Sequence, residues 1–350
     1  MIRNLRTASR APYGLVALVN EPVDQINGFI DHHLKYGADH IIIYFDDSNH
    51  PAVRQTRVSD RVSIVACTKS FWSQAGGNEV MTLDEKLHIC QRVGFEKLRR
   101  LGIEWLLLMD ADELLYSPVS IRDELTKIPT RVDQVRVPVV EAIHTTESRD
   151  KRPFAPRQFK QYQKKLQRHQ LMEISARSSD IMRFTRNGFF GHTYGKTFTR
   201  SNIDLNIFHS HRPKSSRSRL KMRQAKYMTL LHFDAMSFSD WRRKWSRRID
   251  GSTNCANISP FRREQQRAIA EALYGGDRAL NGLFDTWYLY DESDLARLID
   301  LDLAFIIDED RLNARWASLA AERFKGKQIR KFVQWLHRAK SLFVGQAPLM

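Results

Sequence analysis

The chain has 350 residues, 42% of them hydrophobic and 27% charged, which supplies enough apolar side chain for a sizeable core and excludes a disordered chain. No stretch approaches the roughly 20 apolar residues that span a bilayer. The apolar run at residues 15–19 is too short for a secretory signal, and the three scattered cysteines (Cys67, Cys90, Cys255) suggest neither a disulfide framework nor a zinc site, so a cytoplasmic protein is expected. The formal net charge is +16; residues 151–226, with 19 lysines and arginines against 3 acids, hold an excess of that size by themselves, and residues 311–350 add 9 against 1. Such blocks imply an anionic partner (nucleic acid, a phosphorylated substrate or an acidic membrane surface) or a solvated basic face.

In chain order, Tyr13-Gly-Leu-Val-Ala-Leu-Val19 reads as a buried strand. Pro22 suits the first turn of a helix, Val23, Ile26, Ile30 and Leu34 keep helical spacing, and Gly37 stops it. Ile41-Ile-Ile-Tyr-Phe45 and Val62-Ser-Ile-Val-Ala66 predict two more strands. Val80, Leu83, Leu87, Cys90 and Leu98 line one face of a longer helix that ends before Gly102, and Trp105-Leu-Leu-Leu-Met109 is a fourth strand running into Asp110. This order predicts an α/β fold with a mainly parallel sheet flanked by helices. Val135-Arg-Val-Pro-Val-Val140 reads as an edge strand because of its proline. Residues 181–184, 196–200 and 203–209 look like short strands, and most of the rest is helical in pattern. A final basic amphipathic helix is expected over residues 319–344. It either packs on the domain or lies on the inner face of an anionic membrane.

In parallel α/β sheets, ligands bind beyond the carboxyl ends of the strands. Two acidic clusters fall there: Asp46-Asp47 after the second strand and Asp110-Ala-Asp112-Glu113 after the fourth. Residues two apart on a strand share a face, so Asp110 and Asp112 would aim their carboxylates together. Two carboxylates suit Mg²⁺ or Mn²⁺, with a diphosphate completing the coordination. A metal so placed stabilises charge developing on a leaving group, which is what cleavage of a sugar–diphosphate bond requires. Without its context the tripeptide is equally a solvated turn or a helix cap.

Asn20-Glu21, Ile30-Asp-His-His-Leu-Lys-Tyr-Gly-Ala-Asp39, Ile41-Ile-Ile-Tyr-Phe-Asp-Asp-Ser48 and Trp105-Leu-Leu-Leu-Met-Asp-Ala-Asp-Glu-Leu-Leu115 follow one another in order. Together with Leu231-His-Phe-Asp-Ala-Met-Ser-Phe-Ser-Asp-Trp-Arg-Arg-Lys244 they resemble the family-2-like glycosyltransferases, in the branch related to family 92, over about residues 13–250. The resemblance implies a GT-A fold, a nucleotide-diphosphate sugar as donor, a divalent metal and inversion at the sugar. It implies a transferase domain over residues 1–250, with a nucleotide-binding half (1–115) and an acceptor half (116–250), followed by a helical region over 251–350. It places Asn20 and Glu21 at the donor loop, Asp47 or Asp46 on the nucleoside, Lys86 on the helix before the metal strand, and Asp110 and Asp112 on metal and diphosphate with Glu113 in support. Asn49-His-Pro, where such families usually carry a further acidic residue, departs from the pattern.

Among the histidines, His232 is the expected third metal ligand because it sits in the resembling C-terminal segment, with His209, His211 and His192 behind it. Lys196 is expected near the diphosphate, and its glycines do not have phosphate-loop spacing. An inverting transfer needs a carboxylate base, for which Glu141 and Asp234 are the candidates. The acceptor would be a glycan, a lipid-linked glycan or another anionic molecule. Two other readings compete: a basic nucleic-acid-binding protein, which leaves the strand-end acids unexplained, and a metal-dependent phosphohydrolase.

Overall fold

Four strands with continuous apolar sequence form the parallel half of a seven-stranded sheet: β1 (Tyr13–Val19), β2 (His40–Phe45), β3 (Val62–Ala66) and β4 (Trp105–Leu108). Every residue of β1, β2 and β4 is buried, as strands covered on both faces must be. The connections carry α1 (Val23–Lys35), α2 (Ala52–Gln55), α3 (Lys69–Gln74) and α4 (Leu83–Arg100). A capping box of Thr82 and Glu85 starts α4, which buries Leu87, Cys90, Gly94, Phe95 and Leu98. Each large apolar side chain so buried contributes roughly 1.5–3 kcal/mol. The helix lies close on β1 because Gly94 meets Val16 and Gly14 meets Leu98; a Cβ on Gly94 would stand 2.6 Å from Val16. Val80, expected on this helix, precedes it and is exposed.

The computed structural model describes residues 11–307 except 79, 152, 177 and 255–257. Cys255 and the terminal helix expected over 319–344 lie outside the described residues. Among them, no helix is long and apolar enough to cross a membrane.

Beyond β4 the first sheet takes in one antiparallel strand and stays mainly parallel, as expected, and a second sheet is added. After β5 (Glu113–Tyr116) and α5 (Ile121–Thr126), β6 (Gln134–Val137) enters the first sheet, and β7 (Val139–Ile143) and β8 (Gln158–Gln161) enter a second. Then come α6 (Arg168–Ala176), α7 (Ile181–Phe184), β9 (Lys196–Arg200), β10 (Met222–Gln224) and β11 (Thr229–His232). In the first sheet β9 runs antiparallel between β4 and β6, and β10 pairs parallel with β6. The second sheet, in the order β12-β8-β7-β11-β5, closes with β12 (Ala304–Ile306). The molecule is therefore α/β with two mixed sheets flanked by helices.

Pro138 does not mark an edge strand. Both β6 and β7 are interior to their sheets, and the proline, which has no N–H to donate, stands where the chain crosses from one to the other. The true edge of the second sheet at β5 is closed by the adjacent histidines of α1: His32 Nε2 meets Leu115 O at 2.6 Å, and Leu115 N donates to His33 Nε2 at 3.1 Å.

Residues 181–184 are helical rather than extended, because Ile181 and Phe184, three apart, bury the same face. Residues 203–209 form no strand; Ile207 makes an isolated bridge to Lys214 and is 45% exposed. Helices follow toward the C-terminus: α8 (Phe238–Ile249) ahead of residue 251, and α9 (Pro260–Tyr274), α10 (Asp277–Tyr288) and α11 (Glu292–Asp300) in the described part of the helical region expected over 251–350. Their core gathers Trp241, Trp245, Ile269, Phe284, Trp287 and Tyr288 with Phe184 and Phe190.

The basic block at residues 151–226 is dispersed. Lys160 and Lys196 are buried beside carboxylates, Arg200 pairs with Glu104 and lies over Trp105, and Arg183 reaches Glu264. Part of this run of like charge is thus spent on internal and cross-element pairs, while Lys164, Lys165, Arg219, Lys221 and Arg223 stay exposed.

Candidate donor-binding site

The residues 110–112 turn is where the chain leaves the first sheet at β4 and enters the second at β5. Its backbone is tied on three sides: Phe233 N donates to Asp112 O at 2.9 Å, Gln25 Nε2 to Ala111 O at 3.1 Å, and Glu113 N to Asp110 O at 3.1 Å. The turn floors a cleft of about 550 Å³, which also takes Asn20 and Glu21 from the end of β1 and Asp46 from the end of β2. Arg243, Lys244 and Arg247 of α8 and Arg262 of α9 line it too. The strand ends named from sequence converge here, as the switch-point rule requires.

Each acid of the turn already has a cation. Lys196 Nζ lies 2.6 Å from Asp110 Oδ2 and 3.4 Å from Glu113, and its side chain is fully buried. Burial opposes its charge, but Asp110 and Glu113 outweigh burial and raise the ammonium's pKa. Lys244 Nζ lies 2.8 Å from Asp112 Oδ2 and donates to Asp234 O at 3.1 Å. Burial would raise Asp112, yet Lys244 and His232 pull it down to about 2. Glu113 is sealed beneath the turn, where burial pushes it up to about 8 against the pull of Lys196.

A row of imidazoles borders the acids: ring centroids are 5.9 Å apart for His209 and His211, 4.5 Å for His211 and His192, and 4.9 Å for His192 and His232. Gly195 N donates to His192 Nδ1 at 3.3 Å, which leaves the proton on Nε2 for Glu113 Oε1, 2.7 Å away. Burial holds His192 well below its ordinary pKa and takes His211 down to about 2, so both rings are neutral. His232 Nε2 stands 3.9 Å from Asp112 Oδ1, while its buried Nδ1 has no hydrogen-bond partner and faces Gly191.

The other expected residues fall into three groups. Asn20 N donates to Glu21 Oε2 at 2.7 Å and Asn20 O accepts from Arg243 at 3.3 Å, which fastens the first loop to α8. Asp46 faces the cleft and pairs with Lys86 at 2.7 Å, whereas Asp47 is exposed and accepts from Asn49 N at 2.9 Å. Glu141 lies outside the cleft: fully buried, it pairs with Lys160 at 2.7 Å and accepts from the N–H groups of Phe190 and Gly191. Asp234 lines the cleft but is engaged by Arg262 at 2.5 Å and Tyr288 Oη at 2.8 Å. Its pKa is held well below the carboxylate range; burial works against this, and Arg262 and Lys244 overcome it.

Lys244, Arg243 and Arg262 are cleft-lining cations that sequence reasoning did not single out. Lys244 ends the resembling C-terminal segment and could have been chosen on that ground, whereas Arg262 carries no local signal.

The residues expected to hold a metal do not fit one as they stand. Ammonium groups occupy an oxygen of both Asp110 and Asp112, and among the described residues no three His, Cys, Asp or Glu side chains converge as a ligand set.

No protein-family model matches the chain, and no curated protein matches it. Among solved structures it is similar to the mannosyltransferase PcManGT from Pyrobaculum calidifontis in complex with GDP-Man and Mn²⁺. The two are 12% identical over 96% of this chain and 88% of that one, with a TM-score of 0.33. A superposition that loose carries no argument about chemistry.

Proposed function

We propose that the chain is a glycosyltransferase of GT-A type that moves a sugar from a nucleotide-diphosphate donor to an acceptor hydroxyl. The observation that carries this reading is the meeting of three strand ends in one cleft: Asn20-Glu21, Asp46 and the residues 110–112 turn, roofed by Arg243 and Lys244. A nucleoside fits the β1 and β2 ends, and its diphosphate fits between the acidic turn and the cations of α8. The ordered sequence resemblance supports the same assignment and, through it, inversion at the sugar.

Asp234 acts in this reading as a positioning residue. A carboxylate held far below its ordinary pKa is a weak base, and its contacts fix Arg262 and Lys244 at the cleft wall. Calorimetric titration with nucleoside diphosphates and nucleotide sugars tests the proposal: one nucleoside class binds, and Asp112→Asn abolishes donor hydrolysis and transfer with an unchanged circular dichroism spectrum. Full activity in Asp112→Asn refutes it.

A further inference from the structure

The acidic turn resembles a metal site in sequence and differs from one in space. The residues that set it apart come from two distant segments: Lys196 from β9 and Lys244 from α8. Lys196 has no exposed side-chain surface; its ammonium is held between Asp110, Glu113 and Ser210 O, 3.3 Å away. A divalent ion bridging Asp110 and Asp112 would have to sit against that fixed charge and against Lys244 as well. The charge a metal would bring to a diphosphate is meanwhile already present on the cleft wall. Lys244 and Arg262 are braced by Asp234, and Arg243 reaches over to Asn20 O. Ammonium and guanidinium groups make charge-assisted hydrogen bonds to phosphate oxygens, and Arg matches two of them at once.

We infer that this cleft holds its diphosphate with side-chain cations in place of a divalent metal, with Lys244 as the chief phosphate ligand and Lys196 as the fixed counter-charge of the turn. The inference rests on the donor-site reading above. Lys244 is the movable member of the set, since its side chain is a quarter exposed while that of Lys196 is sealed. A diphosphate entering the cleft draws Lys244 from Asp112 toward its own oxygens, and Asp112 keeps His232 beside it.

Two binding measurements on the full chain test this without any turnover. In the first, Mn²⁺ alone is titrated and followed by electron paramagnetic resonance. The wild type leaves the free-ion signal largely intact, and Lys244→Met, which bares Asp112, captures Mn²⁺ roughly tenfold more tightly. In the second, inorganic pyrophosphate is titrated calorimetrically in EDTA. The wild type binds it, Lys244→Met weakens binding at least roughly tenfold, and Lys244→Arg retains most of it. Capture of Mn²⁺ by the wild type as tightly as by Lys244→Met, or pyrophosphate binding that disappears in EDTA, overturns the inference and leaves the donor site standing. Pyrophosphate bound neither with nor without Mn²⁺ overturns the donor-site reading, and this inference with it. Circular dichroism on both variants confirms that they are folded.

Discussion

Lys244 on α8 lies 2.8 Å from Asp112 in the turn after β4, although 132 residues separate them in the chain. The contact joins the helical region to the strand-end floor of the cleft, so the state of one side chain reports on both.

Asp112→Asn leaves Lys244 with only the more distant carboxylate of Asp234, 3.7 Å away. The expected loss of stability is about 1–3 kcal/mol. Lys244→Met restores part of it in the double variant, because the weakly compensated charge is then gone. Urea unfolding of the two single variants and the double variant measures the coupling; strictly additive losses would show that the pair contributes nothing.

Gly191 is packed against the ring of His232, and a Cβ there would stand 2.6 Å from Nδ1. Gly191→Ala therefore displaces the imidazole from its place beside Gly191 and so changes its setting on Asp112, at a cost of about 1–3 kcal/mol in overpacking. Donor affinity is expected to fall well beyond what that stability loss explains. Titration of the variant below its melting temperature checks this, and wild-type affinity would show that the ring's position is immaterial.

Glu113 gives a pH dependence of defined sign. Its pKa rises from 4.5 to about 8 on folding, so the stability it contributes is fully present below about pH 4.5 and is lost as pH rises through 8. At about 1.4 kcal/mol per pH unit the wild type loses up to about 5 kcal/mol across that window. Glu113→Gln, which cannot ionise, loses less. Urea midpoints at about pH 5 and about pH 9 test the difference, and parallel behaviour of the two proteins would contradict it.

Asp234→Asn separates a base from a positioning residue. Loss of the carboxylate strands Arg262 and loosens Lys244, so donor affinity and stability fall together, the latter by about 3–5 kcal/mol. A general base would behave otherwise, with turnover abolished, donor affinity intact and the acid limb of the pH profile missing.

What could be read from the sequence was whatever depends on near neighbours in the chain. The strands β1 to β4 are mostly apolar runs, α4 shows itself through the spacing of Leu83, Leu87, Cys90 and Leu98, and Asp110 follows closely on a buried strand. Pro138 misled because a proline looks the same at an edge and at a crossing between sheets; only the partners of β6 and β7 tell them apart. Ile181 and Phe184 misled because four residues fit either period. Arg262 could not be found at all, since its meaning comes from Asp234 and Tyr288 around it. The same holds for the lysines on the acids: an Asp-x-Asp turn reads as a cation site whether the cation is an ion or a side chain.

The two crossings between sheets, at residues 110–112 and at Pro138, put the cleft floor on backbone that two separate hydrogen-bond ladders hold. The roof is a pair of helices, and its cations Lys244 and Arg262 are tied back to that floor through Asp112 and Asp234. Variation between related proteins should accordingly be uneven: the floor drifts slowly and Lys244 and Arg262 drift with it, while a cleft-lining cation such as Arg247 exchanges more readily.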